Sequence, residues 1–132
     1  MNREILLKFV EWTKLKVRIY ISEEELPYFK EREIWWASLG ANIGYEQDGK
    51  NEKFERPILI LKKFNKDMLW ILPLTSKNKT GKYYYQFEYN GEKYSIILSQ
   101  IRTISSKRLL RKVRTFSEEE FEKVRNLVKE FL

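Results

Sequence analysis

"YYYQFEYNGEKYSIIL", residues 83–98, holds two β-rich runs around Asn90-Gly91. Asn-Gly is the favoured centre of a two-residue type I′ hairpin loop, because both positions need φ > 0 and these two residues reach it at least cost. A hairpin makes its strands antiparallel, and the neighbouring segments read in the same key. Upstream, 58–64 and 69–74 are apolar strands joined by the turn-like "NKD". "EIWWASL", 33–39, is an aromatic-rich strand candidate in which Trp35 and Trp36 alternate, one facing inward and one toward a loop or groove. "QIRTI", 100–104, gives a short last strand.

Helical spacing is confined to the ends and one connection. Ile5, Phe9, Trp12, Leu15 and Ile19 recur at three and four, which predicts an amphipathic helix over 3–20 with one face against the barrel or a partner subunit. Ser105 can cap a short helix through "SKRLLRK". Ser117 with Glu120 forms a capping box ahead of Phe121, Val124, Val128 and Phe131. The expected fold is therefore mainly β (α+β), about six short strands curled into a small antiparallel barrel with three helices. "GANIGYEQDGKNEKFE", 40–55, carries three of the five glycines and reads as a long loop. A loop of about 15 residues in a compact domain is more often functional than idle.

The 132 residues fit one domain, and no apolar run approaches the roughly 18 residues of a membrane span. Charged residues scattered through the first twenty exclude a signal-peptide core, so a cytoplasmic, membrane-free protein is expected. No cysteine is present, which removes disulfide and thiolate chemistry, and zero histidines remove histidine triads and zinc sites built on histidine. Lysine and arginine outnumber the acids 26 to 19, a formal +7, and aromatics make up 15%. Basic charge attracts phosphates and exposed aromatics stack on unpaired bases, a combination that fits single-stranded nucleic acid.

"NEKFERPILILKK", 51–63, places Arg56 and Pro57 at the mouth of an apolar run. Pro57 lacks a main-chain donor and belongs at a strand's start or edge, which puts Arg56 where a rigid element meets a loop. Taken alone, Arg56 reads more readily as a surface ion pair than as a ligand-holding group.

Together, "EIWWASLGANIGYEQDG", "RPILIL", "LPLTS" and "ILSQIRTISSKRL" stand in the order and spacing of the MazF/PemK toxin family, which this chain resembles over about residues 32–112. The resemblance implies an SH3-like β-barrel, a homodimer, a cognate antitoxin and metal-independent endoribonuclease activity on single-stranded RNA, with no cofactor. Its boundaries divide the single domain, 1–132, into an N-terminal helix and linker (1–31), the barrel (32–112) and a C-terminal helix (113–132). That first segment precedes a minimal family member, and "DGKNEKFE" is longer than the usual connection before Arg-Pro.

RNA cleavage without metal uses the ribose 2′-hydroxyl as nucleophile, and the phosphorane's charge must be stabilised. The resemblance places the family's catalytic arginine at Arg56, whose planar fork suits two phosphate oxygens. It places the active-site threonine at Thr75, otherwise a turn-capping residue, with Ser76 as a second donor. Glu46 matches a loop glutamate of some relatives and is the candidate base. Gln47 beside it can read a base or a sugar hydroxyl. Lys77, Lys79 and Lys82 form a candidate phosphate-tracking rim, with solvated loop lysines as the plain alternative. Gln100 and Arg102 are read as ties for the strand ends. The rival to an enzyme is a barrel of this kind that grips RNA or a protein target without cutting.

Overall fold

A computed structural model describes residues 2–132. Helix α1 (Arg3–Ile21) is followed by strands β1 (Glu33–Ser38), β2 (Glu55–Lys63), β3 (Met68–Thr75), β4 (Tyr84–Tyr89), β5 (Glu92–Ile97) and β6 (Arg102–Ser105). A single 3-10 turn, Ser106–Arg108, leads into β7 (Leu109–Thr115), and α2 (Glu118–Lys129) closes the chain. Every ladder is antiparallel, in the order β4-β5-β3-β2-β1-β7, with β6 also on β3. β3 changes partner along one edge, Met68 to Ile71 facing β6 and Leu74 to Thr75 facing β5. Bulges in the β1–β7 and β2–β3 ladders add to the bend, and the sheet curls into a half-barrel. No ladder joins β4 to β7 among the described residues.

The hairpin forms as expected, Asn90 at φ 52° and Gly91 at φ 80°, with Tyr89 opposite Glu92. β2 and β3 are apolar without alternation because both faces of the sheet are covered. Leu59 and Leu61 join Leu72, Phe87, Phe116 and the α2 residues Phe121, Val124 and Val128 on one side. Ile58 and Ile60 join Phe29, Trp35, Leu69, Ile71 and Leu109 on the other. Pro57 is the third residue of β2, not the first, yet its placement obeys the same physics: pairing with β3 begins at Ile58, so at Pro57 only β1 flanks the strand.

Three expectations are corrected. "SKRLLRK" holds one 3-10 turn, capped by Ser105 Oγ accepting from Lys107 N, and then becomes β7. Residues 113–115 are the end of that strand, so the C-terminal helix does not begin at 113; it begins at Glu118, where Ser117 Oγ accepts from Glu120 N. The Lys and Arg of this stretch gave it a helical look, and its pairing to β1, nearly eighty residues earlier, decides otherwise. Helix α1 buries only part of its expected face: Trp12 is in the core, while Ile5 and Phe9 are 51% and 36% exposed. No helix among the described residues is long and apolar enough to cross a membrane.

Glu33 stitches β1 in place. Its Oε1 accepts from Lys30 N (2.8 Å) and Trp35 Nε1 (3.0 Å), and its Oε2 lies 2.9 Å from Lys112 Nζ on β7. Burial pushes its pKa up, but the bonds from Lys112, Trp35 and Lys30 together hold it below the ordinary 4.5. The unfolded chain therefore takes up this proton first, so the contribution is present above about pH 4.5 and fades as pH falls through the native value. Glu33→Gln should cost about 2 kcal/mol near neutrality and flatten the acid limb of the stability profile, read by denaturant melts from pH 3 to 7. Replacing Asn90-Gly91 by two alanines should cost about 1–2 kcal/mol, since both φ values are positive, and the same melts check it.

Candidate active site

The β1–β2 connection carries a polar network that ends on Arg56. Gly40, at φ 89°, starts the loop; a Cβ there would sit 2.2 Å from the Trp12 ring. Gly49 is equally forced, since a Cβ would lie 1.5 Å from the Phe54 carbonyl oxygen. Between them Asn42 donates to the Leu39 and Gln47 carbonyls (3.2 and 2.8 Å), and its main-chain N–H donates to Asp48 Oδ1. Gln100 clamps the loop from β6's approach, accepting from Gln47 N (2.9 Å) and donating to Tyr45 O (2.8 Å). Arg102 Nη1 donates to Leu39 O at 3.1 Å. Gln100 and Arg102 thus do the tying expected of them.

Helix α1 holds the same loop from outside. Lys8 Nζ lies 2.8 Å from Asp48 Oδ2, and Trp12 packs on Ala41 and Phe54 with Leu15 and Ile19 beside it. Asp48 in turn accepts from Arg56 Nε through its main-chain carbonyl, and Arg56 Nη1 donates to Leu74 O at 3.0 Å. Arg56 is half-buried; burial lowers its pKa and nearby Asp48 pulls the other way, leaving a charged group on any ordinary scale. Two of its five N–H groups are spent on these carbonyls, and three have no protein partner among the described residues.

Arg56 lines a hollow of about 450 Å³ together with Thr75 and Ser76. Thr75 closes β3, and its Oγ1 accepts from Lys77 N at 3.2 Å, the turn-capping bond, which leaves its own proton to give. The walls are Trp36, Phe87, Tyr89, Tyr94, Val113 and Arg114. Trp35 is buried and Trp36 lines the hollow, as alternation along β1 required. Arg111 forks onto Glu55 at 3.0 and 3.2 Å and lies 5.0 Å from the Trp36 ring centre. The Arg114 guanidinium lies 4.3 Å from the Tyr89 ring centre. Tyr94 Oη donates to Glu92 at 2.7 Å, a bond that raises the phenol's pKa.

Glu46 and Gln47 stand elsewhere, in a second hollow of about 560 Å³ with Tyr45, Asn42 and Arg102. Glu46 Oε1 accepts from Ile43 N at 3.1 Å. Lys77, Lys79 and Lys82 are exposed on the β3–β4 loop, which buried Ser95 organises by accepting from Lys79 N and donating to Lys77 O, each at 3.2 Å. Sequence reasoning missed Tyr89, Glu92 and Tyr94, although hairpin alternation puts them on one face with Phe87. It had no route to Val113 and Arg114, which reach the hollow only because 109–115 is a strand.

Gly40→Ala should destabilise by about 2–4 kcal/mol, because the methyl meets the Trp12 ring at a backbone angle that L-residues avoid. Paired with Trp12→Gly the loss should be less than additive, since the clash disappears; a double-mutant cycle of thermal melts measures this.

A family profile described as PemK-like, MazF-like toxin of type II toxin-antitoxin system matches residues 30–132. No curated protein sequence matches closely enough to count as a relative. Among solved structures, MazF from Deinococcus radiodurans superposes with TM-score 0.62 at 16% identity, over 82% of this chain and 97% of that one. A mycobacterial endoribonuclease solved with its cognate antitoxin gives 0.61 at 11% identity, over 78% and 93%. Mycobacterium tuberculosis toxin MazF-mt6 gives 0.58 at 15%, over 75% and 94%.

Proposed function

The chain belongs to the PemK-like, MazF-like toxins of type II toxin-antitoxin systems, and from that premise we propose that it is a sequence-selective endoribonuclease that cuts single-stranded RNA without metal. In this reading the half-barrel is an SH3-like barrel, the working form is a cytoplasmic homodimer, and a cognate antitoxin neutralises it. The observation that carries the reading is the meeting of Arg56, Thr75 and Ser76 in one aromatic-walled hollow.

The reaction is attack of the 2′-oxygen on the adjacent phosphorus, with the 2′-hydroxyl proton removed and the 5′-oxygen leaving with a proton, to give a 2′,3′-cyclic phosphate and a 5′-hydroxyl. Arg56 stabilises the phosphorane with the donors left free by Asp48 and Leu74; its remaining bonds hold the guanidinium still, so no reorganisation is needed at the moment of reaction. Thr75 and Ser76 donate hydroxyl protons to the same charge. Trp36, Tyr89 and Tyr94 line the hollow with aromatic surface for unpaired bases, although Arg111, Arg114 and Phe87 already occupy one side of each ring in turn. Lys77, Lys79 and Lys82 track the backbone away from the cut, and Gln47 reads a neighbouring nucleotide in the second hollow. Glu46 lines that second hollow, apart from Arg56, and takes the 2′-hydroxyl proton only where the bound RNA brings that hydroxyl toward it.

One observation favours the non-cutting alternative: Arg56 and Thr75 each have a structural duty, one on two carbonyls and one on a turn. A module that grips RNA or a protein target would keep both residues for the fold alone. Arg56→Lys separates the two readings. Lysine keeps the charge and loses the fork, so RNA affinity should stay near wild type while single-turnover cleavage in chelator falls about a hundredfold, the loss of roughly 3 kcal/mol of oxyanion-type contact. Intact RNA with the wild-type chain would establish the binding module instead, and product ends mapped as cyclic phosphate would establish the nuclease.

A further inference from the structure

Helix α1 is apolar on two sides, and the fold uses one. Trp12, Leu15 and Ile19 face the body. On the opposite side Leu6, Val10, Thr13, Val17 and Tyr20 follow one another at steps of four, three, four and three. That is the spacing of a helix–helix seam. Leu6 is 48%, Val10 40%, Val17 53% and Tyr20 80% exposed, with Phe9 and Ile21 alongside. Thr13 does not interrupt the stripe, because its hydroxyl donates to Phe9 O at 2.9 Å and is satisfied within the helix. These residues lie outside the stretch matched by the family profile, 30–132.

Charge selects the occupant. At 100° per residue, Arg3, Lys14 and Lys16 are the charged residues that flank the seam, Lys14 lying 3.3 Å from Glu11 in an exposed pair that partner carboxylates can displace; Glu4, Lys8 and Arg18 point further round the helix. Two copies of α1 packed seam to seam, parallel or antiparallel, would set these like charges against one another, which disfavours a second copy. A partner helix with acidic flanks meets the seam and its rim at once. The surface is also rigid: Lys8 is paired with Asp48, and Lys107 Nζ donates to Tyr20 O and Ser22 O at 2.8 and 3.2 Å, so α1 is pinned near both ends before anything binds.

We propose that the outward face of α1 is a docking site for an acidic amphipathic helix of a partner protein, which lays its apolar stripe along Leu6, Val10, Val17 and Tyr20 and sets its carboxylates against Lys14 and Lys16. The proposal is independent of the ribonuclease reading, since none of these residues borders either hollow.

The probe is a fluorescent synthetic helix of about three heptads, leucine at the seam positions and glutamate on both flanks, with a lysine-flanked twin. Titrated into the full-length chain and followed by anisotropy, the acidic peptide should bind saturably and at least tenfold tighter than its twin. Val10→Glu with Val17→Glu should abolish binding. Lys14→Glu with Lys16→Glu, which leaves the seam intact, should reverse the preference between the peptides. Both pairs are exposed, and unchanged circular-dichroism melts confirm that the fold is kept. Equal affinity for the two peptides, or none for either, overturns the proposal. So does sedimentation as a dimer that Val10→Glu with Val17→Glu disperses, which gives the face to a second copy. Flotation with phosphatidylserine vesicles that the same pair abolishes gives it to a lipid surface and overturns it equally.

Discussion

Ile58 to Leu61 alternate between two cores, Leu59 and Leu61 under α2 and Ile58 and Ile60 on the other side of the sheet. A strand buried on both faces cannot be displaced without opening both, and four such side chains represent on the order of 8 kcal/mol of burial. Everything that makes the candidate site is measured from this strand. Its entrance sets Arg56, its neighbour β3 sets Thr75, and its other neighbour β1 sets Trp36.

β2 places the Arg56 backbone, and its guanidinium is held by the loop before the strand and by β3. Asp48 and Leu74 take its N–H groups through main-chain carbonyls, so the side chain reports the path of the backbone on both sides. The path at Asp48 is set by Asn42, Gln100 and Lys8, and Lys8 belongs to a helix that precedes the matched family region. An extra helix that looks peripheral in sequence is thus wired, through one ion pair and one carbonyl, to the guanidinium in the hollow.

What could be read in advance follows from how local its causes are. The 83–98 hairpin, the caps at Ser105 and Ser117 and the strands around Pro57 are set by residues within a few positions of one another, and they were legible. So was the pairing of Arg56 with Thr75 and Ser76, though only through the family resemblance, because strand ends far apart in sequence carry no mutual signal. β7 was not legible: "LLRKVRT" is exposed on most of one edge and takes its conformation from β1. With β7 went the far wall of the hollow. The separation of Glu46 from Arg56 was invisible too, since it depends on how the loop folds back onto Gln100.

That late strand has a consequence for the life of the molecule. β1 is among the first sheet elements to be synthesised, yet one of its two edges stays open until residues 109–115 arrive, and Val113 and Arg114 arrive with them. Domains fold as units once their chain is available, so the hollow around Arg56 exists only when nearly the whole polypeptide has left the ribosome. A nascent or prematurely terminated chain would carry Arg56, Thr75 and Ser76 and still lack the chamber that gathers them. The hollow is therefore among the last features of the fold to be completed, although Arg56, Thr75 and Ser76 all lie in the first two-thirds of the chain.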